Sequence, residues 1–137
     1  MAQGNSKNKA SRTARRWWTD IDIDMKNHPQ TNDVTLKYDL NAVKRSIRNL
    51  VLTNHYERPF KPSLGANLRD QLFEIDHVGA KVVEQNLLDV INAHEPRATV
   101  RNIFAHTIGN NLEITLHFSI GNDPAPHELD LILERVR

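Results

Sequence analysis

Gly109-Asn110-Asn111-Leu112-Glu113-Ile114-Thr115-Leu116-His117-Phe118-Ser119-Ile120 is the stretch on which the fold turns. Leu112, Ile114, Leu116, Phe118 and Ile120 alternate with polar residues, the period of a strand that buries one face. Gly109-Asn110-Asn111 suits a hairpin turn into it, and Thr99 to Thr107 reads as the preceding strand. On the other side Gly121 to Pro126, with two prolines, reads as a loop. Leu129, Leu131 and Leu133 then alternate in a last strand. The expectation is an antiparallel sheet of about three strands at the C-terminal end. Such a sheet is marginal alone in water and needs a lid on its apolar face. It also has two edges, which nothing obvious in the sequence covers, and an open edge is a hazard for a free monomer and a rail for an assembling one.

The lid lies upstream. Leu40, Val43, Ile47, Leu50 and Val51 fall on one face at helical spacing, with Asp39 placed to cap the helix through its carboxylate. Lys44, Arg45 and Arg48 fall on other faces and read as solvated. Leu64, Leu68 and Leu72 form a second, shorter stripe ending near Phe73. Asp76 offers a cap for a third helix, whose stripe Val83, Leu87, Val90, Ile91 and His94 runs until Pro96 stops it. His94 reads as an interior or interface histidine on that stripe. The fold class is therefore α+β: an N-terminal extended arm and about three helices packed on a small C-terminal antiparallel sheet.

Ahead of the helices, Trp17, Thr19, Ile21, Ile23 and Met25 alternate with Trp18, Asp20, Asp22 and Asp24, which predicts an extended segment packing its odd positions on the body. Asn27 to Asp33 reads as a turn and Val34 to Tyr38 as a short strand. With 137 residues the chain suits one core, and the expected organisation is an arm over 1–16 and a single domain over 17–137. The net charge of +1 conceals an uneven distribution, because Lys7, Lys9, Arg12, Arg15 and Arg16 stand in the arm without an acid. A basic arm can reach phosphates, an anionic groove or a neighbouring subunit, or stay solvated. No apolar run approaches the length of a membrane span or a secretory signal, so a soluble cytosolic product is expected. The absence of cysteine removes disulfides and thiolate chemistry.

Three blocks carry more specific information. They are Glu57-Arg58-Pro59-Phe60-Lys61-Pro62-Ser63-Leu64-Gly65, Asp70-Gln71-Leu72-Phe73-Glu74 and Glu95-Pro96-Arg97. In the first, Pro59 and Pro62 stiffen a loop, Phe60 reads as its anchor and Arg58 as a group presented to a partner carboxylate. The second reads as core and helix terminus through Leu72 and Phe73. In the third, a proline holds a charge pair at a helix end. Its two readings are an ion-pair contact with another chain and an internal pairing of Arg97 with Glu95 or with the last carbonyls of the helix.

In this order and spacing the blocks resemble one family. From about Trp17 onward the chain resembles the small baseplate wedge protein of contractile-tailed phages, whose cellular relatives include the small baseplate subunit of type VI secretion systems. The resemblance implies a non-enzymatic structural component of a virion tail baseplate, assembled in the host cytoplasm and needing no cofactor. It implies docking on the core bundle of larger wedge subunits through Glu95, Pro96 and Arg97, and the loop reading adds Arg58 to that wedge contact. It further implies that the strand of Leu129, Leu131 and Leu133 is offered to tail sheath subunits and starts their polymerisation. Six copies per baseplate are implied, with the tail tube as a further candidate partner. The final strands, Phe118 to Arg137, match phage members better than the secretion version.

Two other classes are weighed against this. The family has carried a lysozyme label, and a glycosidase needs a protonated acid and a second carboxylate about 5–10 Å away. Glu57, Glu74, Glu95, Glu128 and Asp130 are candidates, but the arginines beside Glu57 and Glu95 favour ionised carboxylates. A nucleic-acid module could use the basic arm, though few aromatics besides Trp17 and Trp18 accompany the cations. His28, His55, His77, His94, His106, His117 and His127 are too scattered for a zinc motif. No serine elbow or phosphate loop occurs.

Overall fold

The computed structural model describes residues 17–22, 24–71, 79–121 and 123–134. Strands β1 (Thr19–Ile21) and β2 (Leu36–Tyr38) form an antiparallel ribbon that leads directly into helix α1 (Asp39–Leu52). A looped segment and one helical turn, α2 (Leu68–Gln71), precede helix α3 (Gly79–His94). Strands β3 (Ala98–Ile108), β4 (Asn111–Ile120) and β5 (Asp123–Glu134) complete the chain as an antiparallel sheet in sequence order. The α+β class is as expected, but only two helices have any length. Gly65, at φ +113°, interrupts the stripe of Leu64, Leu68 and Leu72 at its start. Leu72, Phe73, Glu74, Asp76, His77 and the arm residues Lys7, Lys9, Arg12, Arg15 and Arg16 lie outside the described residues.

The core forms where the alternating face of the sheet meets the helical stripes. Leu112, Ile114, Leu116, Phe118 and Ile120 of β4 are all buried, joined by Leu131 and Leu133 of β5. Val83, Leu87 and Ile91 of α3 and Val43, Ile47 and Val51 of α1 close over them, with α3 packed chiefly along β3. Each such side chain contributes roughly 1.5–3 kcal/mol by leaving water. Gly109, in the left-handed region at φ +61°, makes the tight turn between β3 and β4. His94 is exposed rather than interior, because it lies at the last residue of α3, past the sheet's cover.

Three expectations fail for tertiary reasons. Pro124 and Pro126 stand within β5, not in a loop, because the register shift beside Ser119 falls opposite them, on an edge strand. Asp39 does not cap α1: the cap position is Tyr38, and the Asp39 carboxylate instead accepts the backbone N–H groups of Trp17 and Trp18 at 2.8 and 3.0 Å. The N-terminal segment also turns its other face inward. Trp17, Thr19, Ile21 and Met25 are exposed, Ile23 lies outside the described residues, and of the other face Trp18 packs on the core and Asp22 is 1% exposed, while Asp20 and Asp24 are exposed. Asp22 goes inward because cations await it, Arg45 Nη2 at 2.9 Å and Lys37 Nζ at 3.3 Å. Burial opposes its charge, but Lys37, the Asp24 backbone and Arg45 outweigh that and hold the carboxyl below its ordinary range. Arg45, which also pairs with Asp24, is thus a clamp from α1 to the ribbon rather than a solvated cation.

Candidate functional site

Glu95 follows the last residue of α3, and its N–H still donates to Ile91 O at 2.8 Å before Pro96 ends the helical path. Its side chain is 2% exposed. Arg97 returns over it as a fork, Nε to Oε1 at 2.5 Å and Nη2 to Oε2 at 2.6 Å. Burial disfavours the Glu95 charge, yet hydrogen bonds from Arg97 and from Ser46 of α1 hold the carboxyl below the usual range. The structure therefore shows the internal pairing of the Glu-Pro-Arg block, with the acid as an inward anchor. Arg97 remains 26% exposed, its Nε and Nη2 are taken by the fork, and Asp20 of β1 also acts on it electrostatically. A guanidinium held this way presents its outer nitrogens in a fixed direction.

Arg58 belongs to a different element, the loop that leaves α1, where it is exposed. This loop is tied down internally. Tyr56 N–H donates to Pro62 O at 2.8 Å, Lys61 N–H to Arg58 O at 3.0 Å and Leu64 N–H to Lys61 O at 3.1 Å. The Asn54 amide holds Glu57 Oε1 at 2.7 Å, and His55 Nε2 lies 3.1 Å from Gly65 O. At its base Gly65 passes so close to Thr53 that a Cβ would sit 2.2 Å from the Thr53 carbonyl oxygen. Asn86 of α3 donates to Ala66 O at 2.9 Å. Phe60 does not anchor the loop, as the sequence suggested; it is 97% exposed at the tip. The prolines and backbone bonds rigidify the loop, so no buried aromatic is needed.

The two sheet edges differ. On β3, Glu84 of α3 accepts the N–H of Ala105 at 3.0 Å, so the outward-facing donor at the middle of that edge is already occupied. On β5 the outer edge meets no strand among the described residues. Register assigns its free groups. Because Ala105 points away from β4, its partner Ile114 points toward β5 and hydrogen-bonds with Leu131. The outward backbone groups of β5 are then those of Glu128, Asp130, Ile132 and Glu134. Leu131 and Leu133 are core and Leu129 is half-buried, so these three seat the strand while the backbone groups of their neighbours face outward. Sequence alternation located the strand but could not say which residues face outward along its edge, and nothing in the sequence marked Glu84.

Among the described residues, carboxylates suited to sugar hydrolysis do not converge in either of two clefts. One of about 340 Å³ between α3 and β3 is lined by Lys81, Glu84, Gln85, Leu88 and Val100 to Ile103, with Glu84 already bonded to Ala105. Another of about 270 Å³ is lined by Lys37, Asn41, Lys44, Arg45, Arg48 and Leu129 and contains no acid. Among the described residues no three His, Asp or Glu side chains are grouped to hold a metal. None of the described helices is long and apolar enough to cross a membrane.

A family profile described as baseplate wedge protein gp25 matches residues 37–125, a span that begins in β2 and ends in β5 and includes all three sequence blocks. The chain belongs to the baseplate wedge protein gp25 family. It is 31% identical over 110 residues to the baseplate wedge protein gp25 of Enterobacteria phage T4, covering 78% of this chain and 83% of that protein. The fold is also similar to two solved structures. A protein described as a tail lysozyme from Geobacter sulfurreducens aligns with a TM-score of 0.63 at 18% identity, over 69% of this chain and 89% of that one. A chain of the baseplate of the anti-feeding prophage aligns with a TM-score of 0.61 at 20% identity, over 88% and 87%. The resemblance that the three blocks suggested is thus borne out.

Proposed function

We propose that this gp25-family protein is a non-enzymatic component of a contractile tail baseplate that docks on the larger wedge subunits and starts sheath polymerisation. The observation that carries the reading is the inequality of the sheet edges. Glu84 takes the outward N–H of Ala105 at the middle of β3, so a strand arriving from a sheath subunit finds its less obstructed rail on β5. Four alternate residues, Glu128, Asp130, Ile132 and Glu134, offer N–H and C=O groups, and each new bond contributes about 0.5–1.5 kcal/mol. A preplaced rail removes the cost of beginning a ring with no neighbour. Wedge docking falls to Arg97, aimed by Glu95 and Pro96, and to Arg58. The hydrolase alternative is disfavoured by the ionised, arginine-bound Glu95, which cannot serve as a proton donor at neutral pH. Tail tube contact is a further part of this proposal, as is location at the tail baseplate after assembly in the host cytoplasm.

The test is co-sedimentation with wedge complex and with sheath subunits. Ile132→Pro removes one outward N–H from an edge strand without cutting the core, so it is expected to bind the wedge and fail to nucleate sheath. Arg97→Lys retains a charge for Glu95 but loses the fork, and is expected to nucleate sheath normally and weaken wedge binding. Wild-type behaviour of both variants would refute the two-surface reading.

A further inference from the structure

We propose that the loop from Thr53 to Ala66 is a docking plug, with the Phe60 ring entering an apolar, carboxylate-rimmed pocket on a neighbouring protein subunit of the baseplate. This rests on the baseplate reading and adds a contact separate from Arg97 and from the edge of β5. Among the described residues the two most exposed large apolar side chains are Phe60 at 97% and Tyr56 at 83%, and both stand in this one loop. The next, Ile132, is 66% exposed. Lone exposed apolar residues are ordinary on protein surfaces. A loop whose whole construction serves to hold one out is not.

That construction is visible in the backbone. Tyr56 adopts left-handed geometry at φ +66°, an unfavourable state for a bulky residue, and the Tyr56 to Pro62 bond holds it there. Pro59 and Pro62 flank the tip, and Gly65 and Asn86 fix the base to α1 and α3. The loop therefore loses little conformational freedom when it binds, and a rigid central aromatic is the kind of residue that dominates an interface.

Charge selects the partner. Arg58 and Lys61 are exposed beside Phe60 and outnumber the single carboxylate of Glu57, which Asn54 holds to one side, so the tip is net cationic and its complement is an acidic rim. Among the described residues, the clefts of a second copy of this chain make poor receptors, because one is lined by Lys37, Lys44, Arg45 and Arg48 and another by Lys81 and Arg101 with Glu84 already bonded. A membrane is a poor receptor too, since stable surface anchoring needs more apolar insertion than one loop tip supplies.

The experiment uses the full chain and purified complex of larger wedge subunits, measuring affinity, salt dependence and thermal unfolding for wild type, Phe60→Ala and the double variant Arg58→Glu with Lys61→Glu. Phe60→Ala is expected to keep its melting temperature within about 2 °C, as an exposed site should, while losing at least tenfold in wedge affinity. The charge-reversed variant is expected to associate more slowly and to lose the salt sensitivity of wild type. Wild-type affinity in Phe60→Ala, with Arg97→Lys impaired, would overturn the plug and leave wedge docking standing. Failure of wild type itself to bind would overturn both. Binding of wild type but not Phe60→Ala to phosphatidylserine vesicles, or self-association that Phe60→Ala abolishes, would also overturn the plug by giving the ring another receptor.

Discussion

Arg97 and Glu95 show how one ion pair can serve both fold and interface. Glu95 is buried and cannot be left unpaired, so Arg97→Ala is expected to destabilise the protein by about 2–3 kcal/mol, below the full cost of breaking a buried pair because Arg97 is partly solvated. Chemical denaturation at neutral pH measures this, and a loss under about 0.5 kcal/mol would contradict the pairing. The pair also predicts a pH dependence. The folded carboxyl titrates below its unfolded value near 4.3, so in that interval the unfolded chain binds the extra proton. The contribution is complete above the unfolded value and disappears as pH falls through the folded one. Wild type should therefore lose more stability than Glu95→Gln on acidification from about pH 5 to about pH 3, and parallel profiles would exclude the mechanism. Gly65 is the other residue with a narrow tolerance. At φ +113° and with the Thr53 carbonyl in the way, Gly65→Ala is expected to cost on the order of 2–4 kcal/mol and to unseat the loop, which increased proteolysis between Thr53 and Ala66 would reveal.

Elements differ in how far their sequence announces them. The stripes of α1 and α3 and the alternation of β4 are strong periodic signals, and each lies where its pattern places it, because period alone decides which face meets the core. The ribbon of β1 and β2 misleads, since its apolar residues alternate correctly but the buried position goes to Asp22, whose partners Lys37 and Arg45 are distant in sequence. β5 extends through Pro124 and Pro126 because only pairing reveals it as an edge with a bulge opposite those prolines. At the other edge, Glu84 acts as a guard. Glu84→Ala should free the Ala105 N–H and permit edge-to-edge association, seen as concentration-dependent oligomers in sedimentation velocity. Glu84→Gln keeps an acceptor and should remain monomeric; oligomers in neither variant would remove the guard.

For the whole molecule, the described sheet and its two main helices share one hydrophobic core. A truncation after Gly121 removes Leu131 and Leu133 from the core and is expected to leave the chain unfolded by circular dichroism, whereas Ile132→Pro should stay folded. Loss of sheath nucleation by truncation would therefore say nothing about docking, and only the proline variant separates the two. The α+β class, the two main helices, the C-terminal hairpin and, through the three blocks, the family were all legible in the chain before folding. These are local patterns, carried by period, turn chemistry and motif spacing. Which polar groups go inward, which sheet edge stays open and whether Phe60 faces core or solvent were decided by the tertiary structure. Each depends on partners that folding alone brings near: Arg45 to Asp22, Ser46 to Glu95, and Glu84 to the N–H of Ala105.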